Sequence, residues 1–269
     1  MLVRLIAVIA VLVAALPASG QTLDKIKQRG VLVAGSKADY KPFGFRDPNG
    51  NIVGFEPDLA KDVADRLGAK LELEPVVSSN RMQFLQQGRI DLMIATMNDT
   101  PERRKIVGII EPDYYASGVN VFLIKKAGIK SWEALKEQKI CAIQGAWYNK
   151  TVAEKYGADI VAFKGTAEAE TALQQGNCIG FVYDDTYFAD HLSDPRWADY
   201  AMPLESILVE PWGLAVKLEE RDGPWGQFMA KTVTDWHRTG KLIELETKWK
   251  IPPSAFLKKM HDEYKSKTQ

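Results

Sequence analysis

Residues 90–105 read IDLMIATMNDTPERRK, an apolar strand-like run that breaks at the start of a helix. Thr100 suits the N-cap and Pro101 the first helical position. A capping box would place Glu or Gln three residues past that cap. Arg103 stands there instead, followed by Arg104. A cation in a first helical turn faces the positive end of the helix dipole and costs roughly a few tenths of a kcal/mol. An anion docked at that helix end reverses the local field. The guanidinium can then grip a carboxylate through two parallel hydrogen bonds, helped by free backbone N–H groups. The bland alternative is a solvated Arg paired with Glu102, since exposed ion pairs are common and weak.

Outward from this motif, strand-like and helix-like segments alternate. VLVAGS (31–36) is β-rich, and FGFRDPNGNIVGFE (43–56) reads as a hairpin turning at DPNG. In 58–68, Leu59, Val63 and Leu67 share a helical stripe that Gly68 stops. LELEPVV (71–77) is a strand and 82–87 a short helix closed by Gly88. The pattern restarts with SWEALKEQ as a helix, KICAIQG as a strand and 148–156 as a helix ending at Gly157. ADIVAFK, a helix at 167–175 and the strand CIGFVYDD follow. Two α/β units, near 22–116 and 122–207, are thus linked by two extended crossing segments, YYASGVNVFLIKK (114–126) and SILVEPWGLAVKLEE (206–220). Helices alone come last, 224–239 and one through Trp249, and they need a sheet to cover. The expectation is an α/β fold with mostly parallel strands in two lobes. Lobe 1 is discontinuous, 21–116 plus 212–269, and lobe 2 is 117–211. Ligands of open α/β sheets sit beyond the carboxyl ends of strands, and two lobes on two strands can close by a hinge.

The first 20 residues read as a signal peptide. Arg4 supplies the positive end, and 5–16 form an apolar run too short for a comfortable membrane span. Cleavage is expected after Gly20; an uncleaved anchor is the alternative. The 269-residue chain carries 35 Lys+Arg and 35 Asp+Glu, and losing Arg4 leaves 34 cations against 35 anions. That balance provides no basic footprint for nucleic acid and no polybasic membrane patch. The two cysteines, Cys141 and Cys178, lie in strand-like segments. An exported chain meets oxidising conditions, so they form a disulfide if the strands are neighbours and two buried thiols if not. No GxSxG, HExxH, CxxC or phosphate loop is present.

Candidate site residues cluster at strand ends: Ser36 and Lys37, SSNR (78–81), ATMN (95–98), QGAW (144–147) and YDD (183–185). Asp184 follows an apolar strand, where an unpaired carboxylate is costly to bury and a bound ammonium is a fitting partner. Alternatively it caps the next helix. Asp185 points to the opposite face, against shared acid–base chemistry. Arg103 and Asp184 belong to different lobes, so a zwitterion between them is gripped only when the lobes come together.

VGFEPDLAKDVADRLG (53–68), IDLMIATMNDTPERRK, AIQGAWYN (142–149) and GNCIGFVYDDT (176–186) together resemble the amino-acid-binding proteins of bacterial ABC importers, the family-3 extracellular solute-binding proteins. The resemblance spans nearly all of 22–250 and is closest to glutamate/aspartate-binding members. It implies a periplasmic binding protein-like (type II) fold, two α/β lobes joined by two hinge strands. It places Arg103 on the ligand α-carboxylate, Asp184 on the α-ammonium, Thr96 and Asn98 on the same head group, and Tyr40 along the cleft. Gly145 and Ala146 stand where many members have Gly-Thr or Gly-Ser, so a hydroxyl is missing; backbone N–H groups of Ala146 and Trp147 would serve instead. Lys37 and Arg81, the latter with Ser78 in the SSNR loop, match basic residues of glutamate/aspartate-binding members. A second ligand carboxylate would satisfy both, with Lys164 as a third cation.

Other readings stay open. Trp147 and Trp212 could wall a pocket for an uncharged or aromatic side chain. A dehydratase-like enzyme on the same fold would need Glu56 as general acid, although Glu56 and Asp58 suit the first turn of their helix. A sensory ligand-binding module would need a signalling domain. The expectation is capture without turnover. The chain is then no enzyme and needs no cofactor or metal. It is a periplasmic monomer that hands glutamate or aspartate to the membrane permease of an ABC importer.

Overall fold

Val31–Lys37 is buried along most of its length, as a strand flanked on both edges must be. In this computed structural model, which describes residues 22–266, it pairs in parallel with Lys70–Val76 on one side and Leu92–Met93 on the other. The signal peptide and its cleavage point lie outside the described residues. Ala215–Val216 and Gly108–Ile109 complete this first sheet, and Ala215–Val216 runs antiparallel to its neighbours. Late chain therefore returns to the first lobe. Trp225, in the helix Pro224–Thr239, fastens it there by donating from Nε1 to the Asp91 carbonyl at 3.0 Å.

The second sheet runs Asp159–Phe163, Lys139–Ile143, Gly180–Asp184, Tyr115–Ile124, Tyr200–Ala201, with Ile207–Trp212 also on Tyr115–Ile124. Both sheets are mixed, where mostly parallel strands were expected. The reason is the crossing segments, which pair with each other antiparallel: Trp212 faces Tyr115, Pro211 faces Ala116 and Glu210 faces Ser117. A bulge between Ile207 and Glu210, with Leu208 at φ +51°, bends the return strand. Between the lobes, Tyr40, Phe43 and Tyr115 pack their rings around Trp212 with centroids 5.0–6.0 Å away. These edge-on and tilted contacts add to the apolar area they bury.

Several elements are shorter than their sequence suggests. SWEALKEQ holds only the 3₁₀ turn Glu133–Leu135. Ser131 Oγ takes the Ala134 N–H, and Glu137 at φ +60° ends any helix. The strand at 90–97 is reduced to Leu92–Met93, because Asp91 accepts from Val33 N–H and Arg29, and Thr96 turns to φ +48°. Two helices went unread, Thr22–Arg29 and Ala255–Tyr264, although Ser254 caps the second by accepting from Leu257 N–H. Cys141 and Cys178 are joined by a disulfide across a separation of 37 residues, and by loop entropy such a bond stabilises the second lobe by roughly 4 kcal/mol. Among the described residues no helix is long and apolar enough to cross a membrane.

Candidate functional site

The helix at Pro101–Arg104 is a single turn. Thr100 Oγ1 accepts from the Arg103 N–H at 3.3 Å, and Pro101 occupies the first helical position. Arg103 is consequently turned inward, 5% exposed. Its Nη1 donates to the Asn98 carbonyl at 3.0 Å and its Nη2 to the Gly145 carbonyl at 3.1 Å, the second bond crossing between lobes. The rest of the guanidinium fork remains for a carboxylate. Burial pulls Arg103 down to about 9, and Arg81 adds to the effect while Asp184 opposes it. Arg103 stays a cation at neutral pH, but one in need of an anion. Arg104 points the other way, paired with Asp99 and, at 2.7 Å, with Glu111.

Asp184 ends the strand Gly180–Asp184 and is buried. It makes no capping bond to the turn Asp185–Phe188, so the capping alternative does not describe it. Burial pushes its carboxyl up to about 7 and Asp185 pushes the same way; Arg81 and the hydroxyls of Tyr148 and Tyr40 pull it down. Asp185 faces away, as strand alternation requires, accepting from Ser117 Oγ at 2.8 Å and Gly118 N–H at 3.2 Å.

Arg81 is the first residue of the helix Arg81–Gln86 and is buried. Its Nη1 bonds the neutral Ala95 carbonyl, and its Nε has no hydrogen-bond partner. Lys37 is fully buried but already has a counter-charge: Asp39 lies 3.1 Å away and Ser78 Oγ 3.5 Å. The sequence reading gave Lys37 wholly to the ligand and did not weigh Asp39. Lys164 is exposed, with no claim on the cleft. Ala146 N–H is taken by the Ile143 carbonyl at 3.1 Å, which corrects the expectation that it would donate to a ligand. Gly145 sits at φ +83°, and a Cβ there would lie 2.8 Å from the Ser78 backbone. Only glycine permits that approach of the lobes. Tyr40 is buried against Tyr183 and Trp212, its hydroxyl 2.8 Å from Thr186 Oγ1.

Thr96 holds the left-handed conformation, costly for a β-branched residue. Its N–H donates to Glu56 Oε1 at 2.6 Å, and Tyr114 hydroxyl donates to the same oxygen. Glu56, expected as a helix-opening acid, does lie in the first turn of Phe55–Leu67 but is wholly buried. Burial pushes its carboxyl up to about 7 against those two bonds and the pull of Arg81 and Lys37. Glu56→Ala should strand the Tyr114 hydroxyl, leave the Thr96 N–H only its 3.2 Å bond to that hydroxyl, and cost about 2 kcal/mol, whereas Glu56→Gln keeps the acceptor and should cost less than about 1 kcal/mol. Urea unfolding of the two variants checks this; equal losses would refute the acceptor role.

Thr96 Oγ1, Asn98 Nδ2, Trp147 Nε1 and Trp212 Nε1 join Arg81 Nε as buried polar atoms without a hydrogen-bond partner. Each is able to donate, and together with Arg103 and Asp184 they offer one strong anion grip and one cation grip across the lobes. The sequence reading missed Tyr114, Asp39 and Tyr148, and took Glu56 only as a helix-opening acid or an enzyme's general acid. Asp39 had a signal, since Lys37 and Asp39 are two apart on an extended chain and share a face.

Residues 32–252 match the model of the bacterial extracellular solute-binding proteins, family 3. The chain is 35% identical over 202 residues to the ABC transporter glutamine-binding protein GlnH of Bacillus subtilis, covering 73% of each chain. It is 25% identical over 258 residues to the glutamate/aspartate import solute-binding protein of Escherichia coli, covering 89% of this chain and 83% of that one. Among solved structures, it is similar to an ancestral amino acid-binding protein described as a precursor of cyclohexadienyl dehydratase. There the TM-score is 0.75 at 31% identity, over 85% of this chain and 99% of that one.

Proposed function

The chain belongs to the bacterial extracellular solute-binding proteins, family 3, and on that premise we propose that it captures an acidic L-amino acid, glutamate or aspartate, in the periplasm. The ligand passes unchanged to the permease of an ABC importer. Lobe 1 (21–116 plus 212–269) and lobe 2 (117–211) close on it about the paired crossing strands. Arg103 takes the α-carboxylate and Asp184 the α-ammonium, while Thr96, Asn98 and Trp147 complete the head-group shell.

Arg81 carries the acidic assignment. It is buried, its Nε is unpartnered, and the bond from its Nη1 goes to an uncharged carbonyl. With Arg103 matched to one carboxylate, Asp184 to the ammonium, Lys37 to Asp39, and Glu56 raised to about 7 and engaged by Thr96 and Tyr114, a ligand side-chain carboxylate would give Arg81 an anion in contact. A neutral side chain leaves a buried guanidinium without an anion, a situation worth several kcal/mol. Glutamine is the second reading, carried by the likeness to the Bacillus subtilis glutamine-binding protein.

A thermal-shift series with glutamate, aspartate and glutamine separates the two, and at one hundred times Kd linkage adds about 2.7 kcal/mol of stability. Glutamate or aspartate should stabilise more than glutamine and be recovered unchanged. Arg81→Met should weaken the acidic ligands by about a hundredfold and glutamine far less. Equal losses for both classes would remove the acidic assignment.

A further inference from the structure

Much of the polar contact between the lobes passes through one short stretch of lobe 1. Asp39–Tyr40 is the first strand of a small sheet with Gly44–Arg46 and Ile52–Val53. Each residue from 39 to 41 reaches lobe 2. Thr166 Oγ1 donates to the Asp39 carbonyl at 2.8 Å, and the Thr166 N–H to Asp39 Oδ2 at 3.4 Å. Tyr40 meets Thr186, and Lys41 Nζ pairs with Asp190 Oδ2 at 2.9 Å. Thr166 opens the nine-residue helix Thr166–Gln174, so its N–H is one of the donors a helix start leaves unpaired.

The same Asp39 carboxylate turns its other oxygen, Oδ1, to Lys37 Nζ at 3.1 Å. The Lys37 side chain is 0% exposed and that of Asp39 24%, so the anion sits at the rim of the lysine's burial site. Lys37 lies within the electrostatic reach of Arg81 and Asp184. A buried ammonium without an anion is costly, and Asp39 is the carboxylate in contact with it. One side chain therefore joins two events: neutralising a cation of the cleft, and bonding the helix of the opposite lobe. Parting the lobes would break the Thr166 bonds and leave Asp39 to water.

We propose that Asp39 is a selectivity-setting residue of the cleft: it cancels Lys37 as the lobes shut, so that the ligand side chain is read by Arg81 and one carboxylate balances the site. The inference rests on the acidic-amino-acid reading for the identity of the preferred ligand, but not for its sign. Without Asp39, the Lys37 charge is unmasked, and any ligand bearing an extra carboxylate gains over its neutral isostere. Asp39 is a positioning residue, because it acts through Lys37 and Thr166 rather than by touching the ligand.

Calorimetric titration of the purified chain with L-glutamate and L-glutamine reads this as a ratio of the two dissociation constants. Asp39→Asn should shift the ratio toward glutamate by about tenfold relative to wild type, a coupling of ordinary size. The double variant Lys37→Met with Asp39→Asn should return the ratio to the wild-type value. Asp39→Ser provides the same test if Asp39→Asn melts early. A purely structural latch would weaken both ligands by one factor and leave the ratio unmoved, which overturns the proposal, as does a double variant that fails to restore it. Wild-type preference for glutamine removes the acidic reading alone, since the shift on substitution still reports on Asp39; wild-type binding of neither removes both.

Discussion

Arg103→Met should abolish binding of every amino acid, with Kd rising by a factor of about 10³ or more, while the melting temperature of the protein alone changes little. The two expectations belong together. Arg103 makes two bonds to carbonyls, at Asn98 and Gly145, and no ion pair among the described residues. Losing them costs roughly 1.5–3 kcal/mol each, largely offset by removing a buried charge that the fold itself does not neutralise. The ligand, in contrast, would lose the guanidinium proposed for its α-carboxylate. Arg103→Lys should fall between, losing about ten- to a hundredfold, because an ammonium restores the charge without the planar fork. Titration calorimetry alongside differential scanning gives both readouts. A Kd for Arg103→Met within tenfold of wild type would remove Arg103 from the ligand.

The unusual placement of Arg103 was legible in the sequence because it breaks a local rule: a cation stands where a capping box wants an acid, and in the fold it is buried. Asp184 was legible for a similar reason, an acid closing an apolar strand. Local chemistry of that kind survives folding. The alternation of strands and helices and the two crossing segments were legible too, since each is written in a continuous stretch of chain. Glu56 was not. Its burial is created by Tyr114 and Thr96, which lie 58 and 40 residues away and meet it only in the folded lobe. Its sequence context, the first turn of a helix, supplies a sufficient ordinary explanation. The short reach of 90–97 as a strand escaped the sequence for the same reason, because the left-handed turn at Thr96 comes with a bond from its N–H to the distant Glu56 carboxylate. The Ala146 N–H illustrates a third limit. A resemblance assigns a donor to a position, but whether that donor is already spent depends on one turn bond to Ile143.

Asp184→Asn should weaken binding by about a hundredfold at pH 7.5 and, more tellingly, flatten its pH dependence. In the shut cleft the Asp184 carboxyl is raised to about 7, mainly by burial, from an ordinary value near 3.8. For the fold alone the sign follows directly. The neutral carboxyl is the better-tolerated form, so its contribution to the shut state is fully present below about pH 4 and is lost as pH rises through 7. A ligand ammonium inverts the preference, because it pairs only with the carboxylate. Below pH 7 binding must therefore expel a proton, and Kd should rise by up to about tenfold for each pH unit between 7 and 5. Glu56 titrates in the same range and sits in the same lobe as Arg103, so the wild-type profile alone does not identify the group. The Asn variant does. Calorimetry in two buffers of different ionisation enthalpy counts the protons released on binding. That count should approach one per ligand near pH 6 for wild type and vanish for Asp184→Asn. A slope that survives the substitution would transfer the titration to Glu56 and leave the ammonium without its assigned partner.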